Sequence, residues 1–309
     1  MRCRKCGQKA AINLHEHRLS LCKDHFLEWL PEYTEKTIKK YSLTNKQERF
    51  IIAVSGGKDS LSLWDILWRL GYTIEGVHIN LGIDGEVKYS ETSQLFTQKF
   101  AGERGLALHV INLQETYKNS IPQLSAMGRH RKQKSCSVCG LVKRHILNKF
   151  ALEGGYDILA TAHNLDDEAA TLMMNTLNWN QELLIRQSPF LPAQKGFIRK
   201  IKPFCRVYER EAATYALLRG IEYVYDECHY SQGNPQLQMK QNLNQMELLQ
   251  PGLKLQYYLN FLNARQTGFF TPTFQKKAAE SSFICSQCGQ PTSNENKICS
   301  FCRLISKTI

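Results

Sequence analysis

Two hydrophobic periods alternate between Phe50 and Leu177. Short apolar runs rich in β-branched residues, at Phe50–Val54, Tyr72–Ile79, Leu106–Leu113 and Asp157–Thr161, read as buried strands. Between and after them, Leu61–Leu70, Ser90–Arg104, Leu141–Leu152 and Leu165–Leu177 repeat their apolar residues at helical spacing. Strands alternating with helices predict an α/β fold, with a Rossmann-like parallel sheet and helices on both faces. In such sheets ligands bind at the carboxyl ends of the strands. Residues 118–135 and 178–197 are polar or proline-bearing and read as loops. Helical spacing returns from 234 to 268 as a small appendage, and 268–282 reads as a linker.

Composition narrows the class. The 309 residues are 42% apolar, enough for a sizeable core, and the length suits about two domains at roughly 150 residues each. No apolar run reaches the roughly 18 residues that a membrane helix needs. The basic N-terminus lacks the apolar stretch of a secretory signal, so a cytoplasmic protein without membrane contact is expected. In that compartment the 11 cysteines favour metal ligation over disulfides. A net charge of +12, from 40 Lys+Arg against 28 Asp+Glu, favours a polyanionic partner, nucleic acid first.

Ser55-Gly56-Gly57-Lys58-Asp59-Ser60 follows the first strand and opens a helix. Two glycines let the backbone approach a ligand closely. The helix start offers free N–H groups to an anion, and Lys58, Ser55 and Ser60 add charge and donors. The loop is not of the Walker type, because no GxxxxGK[ST] is present.

The cysteines fall into three groups. Cys3-x2-Cys6 and, fifteen residues on, Cys22-x2-His25 have the spacing of a closed, structural zinc site, with His15 and His17 as competing fourth ligands. Cys285-x2-Cys288 and Cys299-x2-Cys302, ten residues apart, form a second four-ligand set. Arg2, Arg4, Lys5, Lys9, Lys297 and Arg303 on these ribbons suit phosphate contacts. Cys136-x2-Cys139 has no such partner pair, follows a basic stretch and opens a helix. A redox dithiol, a third zinc site and an iron–sulfur cluster all fit it. Cys205 reads as a core thiol.

SGGKDS resembles the pyrophosphate loop of the ATP-pyrophosphatase family. SCSVCGLVKRH, LATAHNLDDEAATLMMNTLNW and RGIEYVYDECHYS resemble the two-zinc tRNA 2-thiolation enzymes, closest to the branch that thiolates the T-loop uridine at tRNA position 54. The likeness spans essentially the whole chain, which it divides into an N-terminal zinc finger (1–30), a catalytic domain with an iron–sulfur site (31–267) and a C-terminal zinc finger (268–309).

The resemblance implies ATP with magnesium, two zinc ions, and one 4Fe-4S cluster on Cys136, Cys139 and Cys228 that leaves an iron open for sulfur. It implies adenylation of the uridine O2, departure of AMP and entry of sulfur. Ser55–Ser60 would hold the phosphates, and the backbones of Ala53 and Ile79 the nucleoside. Asp59, Asp167 and Lys143 would act in catalysis, Lys143 from about two turns beyond Cys136. Ala162 would lie near the nucleotide, where the family commonly has glycine, and His229 stands where proline often follows the third cysteine. His163 could be a contact or simply packed. The implied partners are tRNA, crossing Arg129, Arg131 and Lys132, a ubiquitin-like thiocarboxylated sulfur carrier, and a second copy in a homodimer. A wobble-uridine thiolase, a lysine-adding cytidine enzyme and a non-catalytic zinc-ribbon RNA-binding protein are the rival readings.

Overall fold

The computed structural model describes residues 1–84, 88–128, 135–226, 228–231, 233–268 and 283–306. The basic stretch 129–134 and nearly all of the expected linker lie outside the described residues. The chain opens with a hairpin of β1 (Ile12–Leu14) and β2 (Leu19–Leu21), followed by helix α1 (Lys23–Lys40). The alternating region then runs β3 (Phe50–Ala53), α2 (Lys58–Arg69), β4 (Ile74–Asn80), α3 (Tyr89–Arg104) and β5 (Leu108–Asn112). After α4 (Leu113–Tyr117) and α5 (Ile121–Gly128) come α6 (Ser135–Glu153), β6 (Ile158–Ala160) and α7 (Leu165–Leu177).

The described strands of the main sheet lie in the order β5-β4-β3-β6-β8-β7, where β7 is Phe190–Leu191 and β8 is Arg199–Ile201. All neighbours are parallel except β7 with β8. Strand order reverses between β3 and β6, so their carboxyl ends flank the crevice of the topological switch point. The SGGKDS loop leaves β3 there, and Thr161–Asp167 leaves β6.

Two expected loops contain structure. Within 118–135, α5 forms because Ile121 and Leu124, one turn apart, bury their side chains against α6. Within 178–197, α8 (Gln181–Arg186) is capped by the Asn180 side chain, and β7 pairs on the sheet edge. Pro189 and Pro192 flank β7, and an edge strand tolerates proline because one side of its ladder stays unpaired. Further on lie α9 (Glu209–Arg219), α10 (Pro235–Leu249) and α11 (Leu253–Gln266). The C-terminal hairpin of β9 (Phe283–Ile284) and β10 (Pro291–Thr292) ends in α12 (Ser300–Ile305).

Both cysteine-rich ends share cores with the sheet domain. Cys3, Leu14, Leu21 and Cys22 pack in one cluster with Phe26, Phe50, Trp64 and Tyr215. Cys285, Cys299, Phe301 and Cys302 pack with Val138, Val142 and Ile146 of α6. Phe301 stacks on His145 at 3.8 Å. Behind the loop, the fully buried Asp65 of α2 accepts from Arg104 Nε (2.9 Å), Arg219 Nε (3.0 Å) and the Tyr215 hydroxyl (2.7 Å). That network pins α2 to α3 and α9. Trp64 meanwhile presses on β4 at Gly76, where a Cβ would stand 2.4 Å from the indole.

Candidate active site

The loop after β3 is shaped by its own serines and by α3. Ser60 Oγ accepts from the Ser55 N–H (3.1 Å) and donates to the Gly57 carbonyl (3.0 Å), closing the turn from within. Gly56 has φ +78°, and a Cβ there would stand 2.4 Å from the Ser93 carbonyl oxygen. The Val224 N–H donates to the Gly56 carbonyl (3.0 Å), tying the segment after α9 to the loop. Gly57 is the N-cap of α2 and brings no capping side chain, so the first-turn N–H groups are left for a ligand.

Beside this loop a closed circuit of charges spans four helices. Lys58 Nζ meets Asp59 Oδ2 (3.1 Å) and Glu209 Oε1 (2.8 Å). Glu209 Oε2 meets Lys240 Nζ (3.0 Å), which also meets Asp167 Oδ1 (2.6 Å). Asp167 and Asn164 cap α7 reciprocally, and Asn164 Nδ2 returns to Asp59 Oδ1 (3.2 Å). Burial raises the Asp59 carboxyl, and Glu209 and Asp167 add to the rise against the pull of Lys58. Burial alone would raise Glu209 as well, but Lys240 and Lys58 outweigh it and hold that carboxyl at about 2. Burial would lower Lys58, and Asp59 and Glu209 more than reverse this. The circuit thus sets three carboxyl groups against two ammoniums beside the loop.

On the other flank a cleft open to solvent is lined by Ala53, Ser55, His78, Ile79, Tyr89 and Lys143, among others. Ala53 and Ile79 therefore meet at the cleft, as expected of two residues at adjacent strand ends. His78 is buried, and its Nδ1–H donates to the Val54 carbonyl (2.9 Å). Burial, with Lys143 nearby, pushes its pKa down to about 4, so Nε2 is an acceptor with no partner among the described residues. Ala162 is partly buried against the core beside the β6 end. His163 bonds Thr161 Oγ1 (2.9 Å).

Lys143 links the cleft to the central cysteines, lying within electrostatic reach of both Cys139 and Cys228. Cys228 in turn feels both Cys136 and Cys139, so the structure brings that pair together with a thiol about ninety residues further along the chain. Cys136 Sγ lies 3.1 Å from the Tyr230 carbonyl, two residues past Cys228. The three sulfurs do not close to the within-4.8 Å spacing of the single-ion groups found among the described residues. Convergent thiols are nonetheless the donor set that an iron–sulfur cluster takes. Cys205 is fully buried in an apolar cluster, and burial raises its thiol.

The terminal ribbons do close to single-ion spacing: Cys3, Cys6, Cys22 and His25 form one group, and Cys285, Cys288, Cys299 and Cys302 another. Two Zn–S bonds of ~2.3 Å at a tetrahedral angle put sulfurs ~3.8 Å apart, whereas a disulfide needs ~2.05 Å. Cys6 and Cys22 stand 3.8 Å apart, and Cys288 and Cys299 3.7 Å. His25 Nδ1 lies 3.2 Å from Cys22 Sγ. His15 instead meets Asn13, and His17 meets Glu211 (3.0 Å).

Glu209, Lys240, Asn164 and His78 escaped the sequence-based roles. Asn164 is detectable as a helix cap, whereas nothing local marks Glu209 or Lys240, whose helices meet the loop only in the fold.

A parallel sheet with a glycine-rich anion loop at its switch point defines a nucleotide-binding α/β protein of the phosphate-loop class. A family model described as a PP-loop domain matches residues 30–247, and one described as the 2-thiouridine synthetase TtuA N-terminal LIM domain matches residues 2–27. The tRNA-5-methyluridine(54) 2-sulfurtransferase of Thermus thermophilus is 44% identical over 304 residues, covering 98% of this chain and 91% of that protein. Its namesake from Pyrococcus horikoshii is 41% identical, covering 98% and 93%. The U34-tRNA thiolase NcsA from Methanococcus maripaludis, solved with its 4Fe-4S cluster, shares the fold at a TM-score of 0.79. That match has 24% identity and covers 99% of this chain and 96% of the other. The chain belongs to the TtuA-type tRNA 2-thiolation enzymes of the PP-loop family. Among the described residues no helix is long and apolar enough to cross a membrane.

Proposed function

We propose that the protein replaces the O2 of 5-methyluridine at tRNA position 54 with sulfur, at the expense of ATP. A carbonyl oxygen is a poor leaving group, and adenylation makes it one that departs as AMP. The loop Ser55, Gly56, Gly57, Lys58, Asp59 and Ser60 holds the phosphates, with Asp59 and Asp167 placed to hold Mg²⁺ against them. The backbones of Ala53 and Ile79, with Ala162 at the rim, hold the nucleoside. Asp167 also serves as the base that takes the ring N3 proton as O2 becomes adenylated. The single observation that carries this reading is the position of Lys143, which lines the nucleotide cleft and lies within electrostatic reach of Cys139 and Cys228. Its ammonium stands where negative charge develops between the leaving phosphate and the arriving sulfur.

Cys136, Cys139 and Cys228 would hold a 4Fe-4S cluster, which supplies a sulfur-binding iron because three protein ligands leave one of its irons open. Cys3, Cys6, Cys22 and His25 would hold one structural zinc, and Cys285, Cys288, Cys299 and Cys302 the other. The partners in this reading are tRNA, a thiocarboxylated ubiquitin-like carrier and a second copy of the chain, in the cytoplasm. The three modules proposed are 1–30, 31–267 and 268–309. The test is anaerobic incubation of the reconstituted protein with tRNA, ATP and sulfide, followed by nucleoside analysis. The expected products are 2-thio-5-methyluridine, AMP and pyrophosphate in equal amounts. A thiolated wobble uridine, or no AMP release, would refute the assignment.

A further inference from the structure

Lys240 lies on α10, a helix outside both the loop and the Rossmann-like units, yet it reaches the site. Met239 and Leu243 pack α10 against Ala169 and Ala170 of α7, and Asn234 caps its start. That anchoring delivers the Lys240 ammonium to Asp167 at 2.6 Å and Glu209 at 3.0 Å. Glu209 is the first residue of α9, its backbone N–H fixed to Asp166 Oδ2 (2.8 Å). Its two carboxylate oxygens each take one ammonium, Lys58 on Oε1 and Lys240 on Oε2. Two oxygens of one anionic group bridging two lysines is the contact pattern of a phosphate. The Glu209 side chain is 36% exposed, against 16% for Lys240 and 25% for Lys58. The acid is the most exposed of the three groups and so the one nearest to solvent.

We propose that Lys240 is a second phosphate-binding cation, and that Glu209 occupies the anion's place in the free protein until the β- and γ-phosphates of ATP displace it. This rests on the phosphate-loop reading above and extends it to α10. With Glu209 withdrawn, Lys58 and Lys240 face the polyphosphate, while Asp59 and Asp167 remain for the metal ion. The exchange of one anion for another keeps both ammoniums paired throughout, so neither is left as an unpaired charge.

Titration calorimetry of the holoprotein with magnesium pyrophosphate, and separately with adenosine, tests this. Lys240→Met is expected to weaken pyrophosphate binding about tenfold or more, the loss typical of a charge-assisted hydrogen bond, with adenosine unchanged. Lys240→Arg should restore most of the affinity, which a merely misfolded α10 would not. Glu209→Gln should tighten pyrophosphate severalfold by removing the competitor. Unchanged pyrophosphate affinity in Lys240→Met, or weakening in Glu209→Gln, overturns the proposal. Lys58→Met separates the two levels: if it too leaves pyrophosphate unaffected, the phosphate-loop reading itself fails. If Lys58→Met weakens binding and Lys240→Met does not, only the role of α10 falls.

Discussion

Replacing Gly56 and Gly57 one at a time by alanine asks whether the loop is shaped by close approach or by flexibility in general. At Gly56 the backbone is left-handed, φ +78°, which costs an L-residue about 1–2 kcal/mol. The new Cβ would also stand 2.4 Å from the Ser93 carbonyl oxygen and 2.9 Å from its Cα. Ser93 is buried on α3, its carbonyl holding Thr97 Oγ1 at 2.8 Å, so the helix cannot easily retreat. Overpacking of this kind costs about 1–3 kcal/mol. Together the terms give about 2–5 kcal/mol, or roughly thirty- to several-thousand-fold in the population of the competent loop. At Gly57, φ is −89° and the added Cβ meets only Ser55 Oγ at 3.5 Å, an ordinary contact. Gly57→Ala should therefore keep its stability within about 0.5 kcal/mol. Urea unfolding midpoints and pyrophosphate affinity, measured on both variants, give the answer. Wild-type values for Gly56→Ala, or a Gly57→Ala that unfolds as readily as Gly56→Ala, would refute the packing account.

Three further outcomes follow from the geometry. Asp65→Asn leaves the Arg104 and Arg219 guanidiniums facing a neutral amide in the core, and should cost about 3 kcal/mol in urea unfolding, at the low end for a broken buried pair because Arg219 is partly exposed; a loss below about 1 kcal/mol contradicts it. His78 has a folded pKa of about 4 against 6.5 in its ordinary state, so its contribution to stability is full above pH 6.5 and is lost as pH falls towards 4. That contribution is on the order of 3 kcal/mol, so unfolding midpoints should decline less steeply over that window in His78→Asn, which cannot take up the proton. Metal counting on single serine variants checks the cysteine partition: Cys285→Ser should lose one zinc and keep its iron, while Cys228→Ser should lose iron and keep both zincs.

How far the sequence carries depends on whether the determinants of a feature are neighbours in the chain. The β3–loop–α2 unit was legible because Phe50–Ala53, the two glycines and the apolar spacing of Leu61–Leu67 are contiguous, and each satisfies its own local requirement. The ribbons were legible for the same reason, since each x2 spacing brings two ligand atoms together locally and a short hairpin joins the two pairs. Between 178 and 233 this local agreement is weak. β7 and β8 are two and three residues long, and α9 carries a periodicity blurred by Glu211 and Arg219, whose burial is settled by His17 and Asp65 on distant elements. The charge circuit is the extreme case. Asp59, Asp167, Glu209 and Lys240 each sit on a helix surface where, taken alone, they look like solvated charge, and the three acids lie in first turns where they serve the helix dipole. Only the reversal of strand order between β3 and β6 sets the starts of α2 and α7 side by side. Only the packing of α9 on α2 and α10 on α7 then completes the ring. The chemistry of this site is thus divided between a loop that specifies itself and a charge arrangement that exists only once the sheet has folded. A substitution at Met239 or Leu243, far from any phosphate, should therefore disturb polyphosphate binding through Lys240 while leaving the loop hydrogen bonds of Ser55 and Ser60 in place.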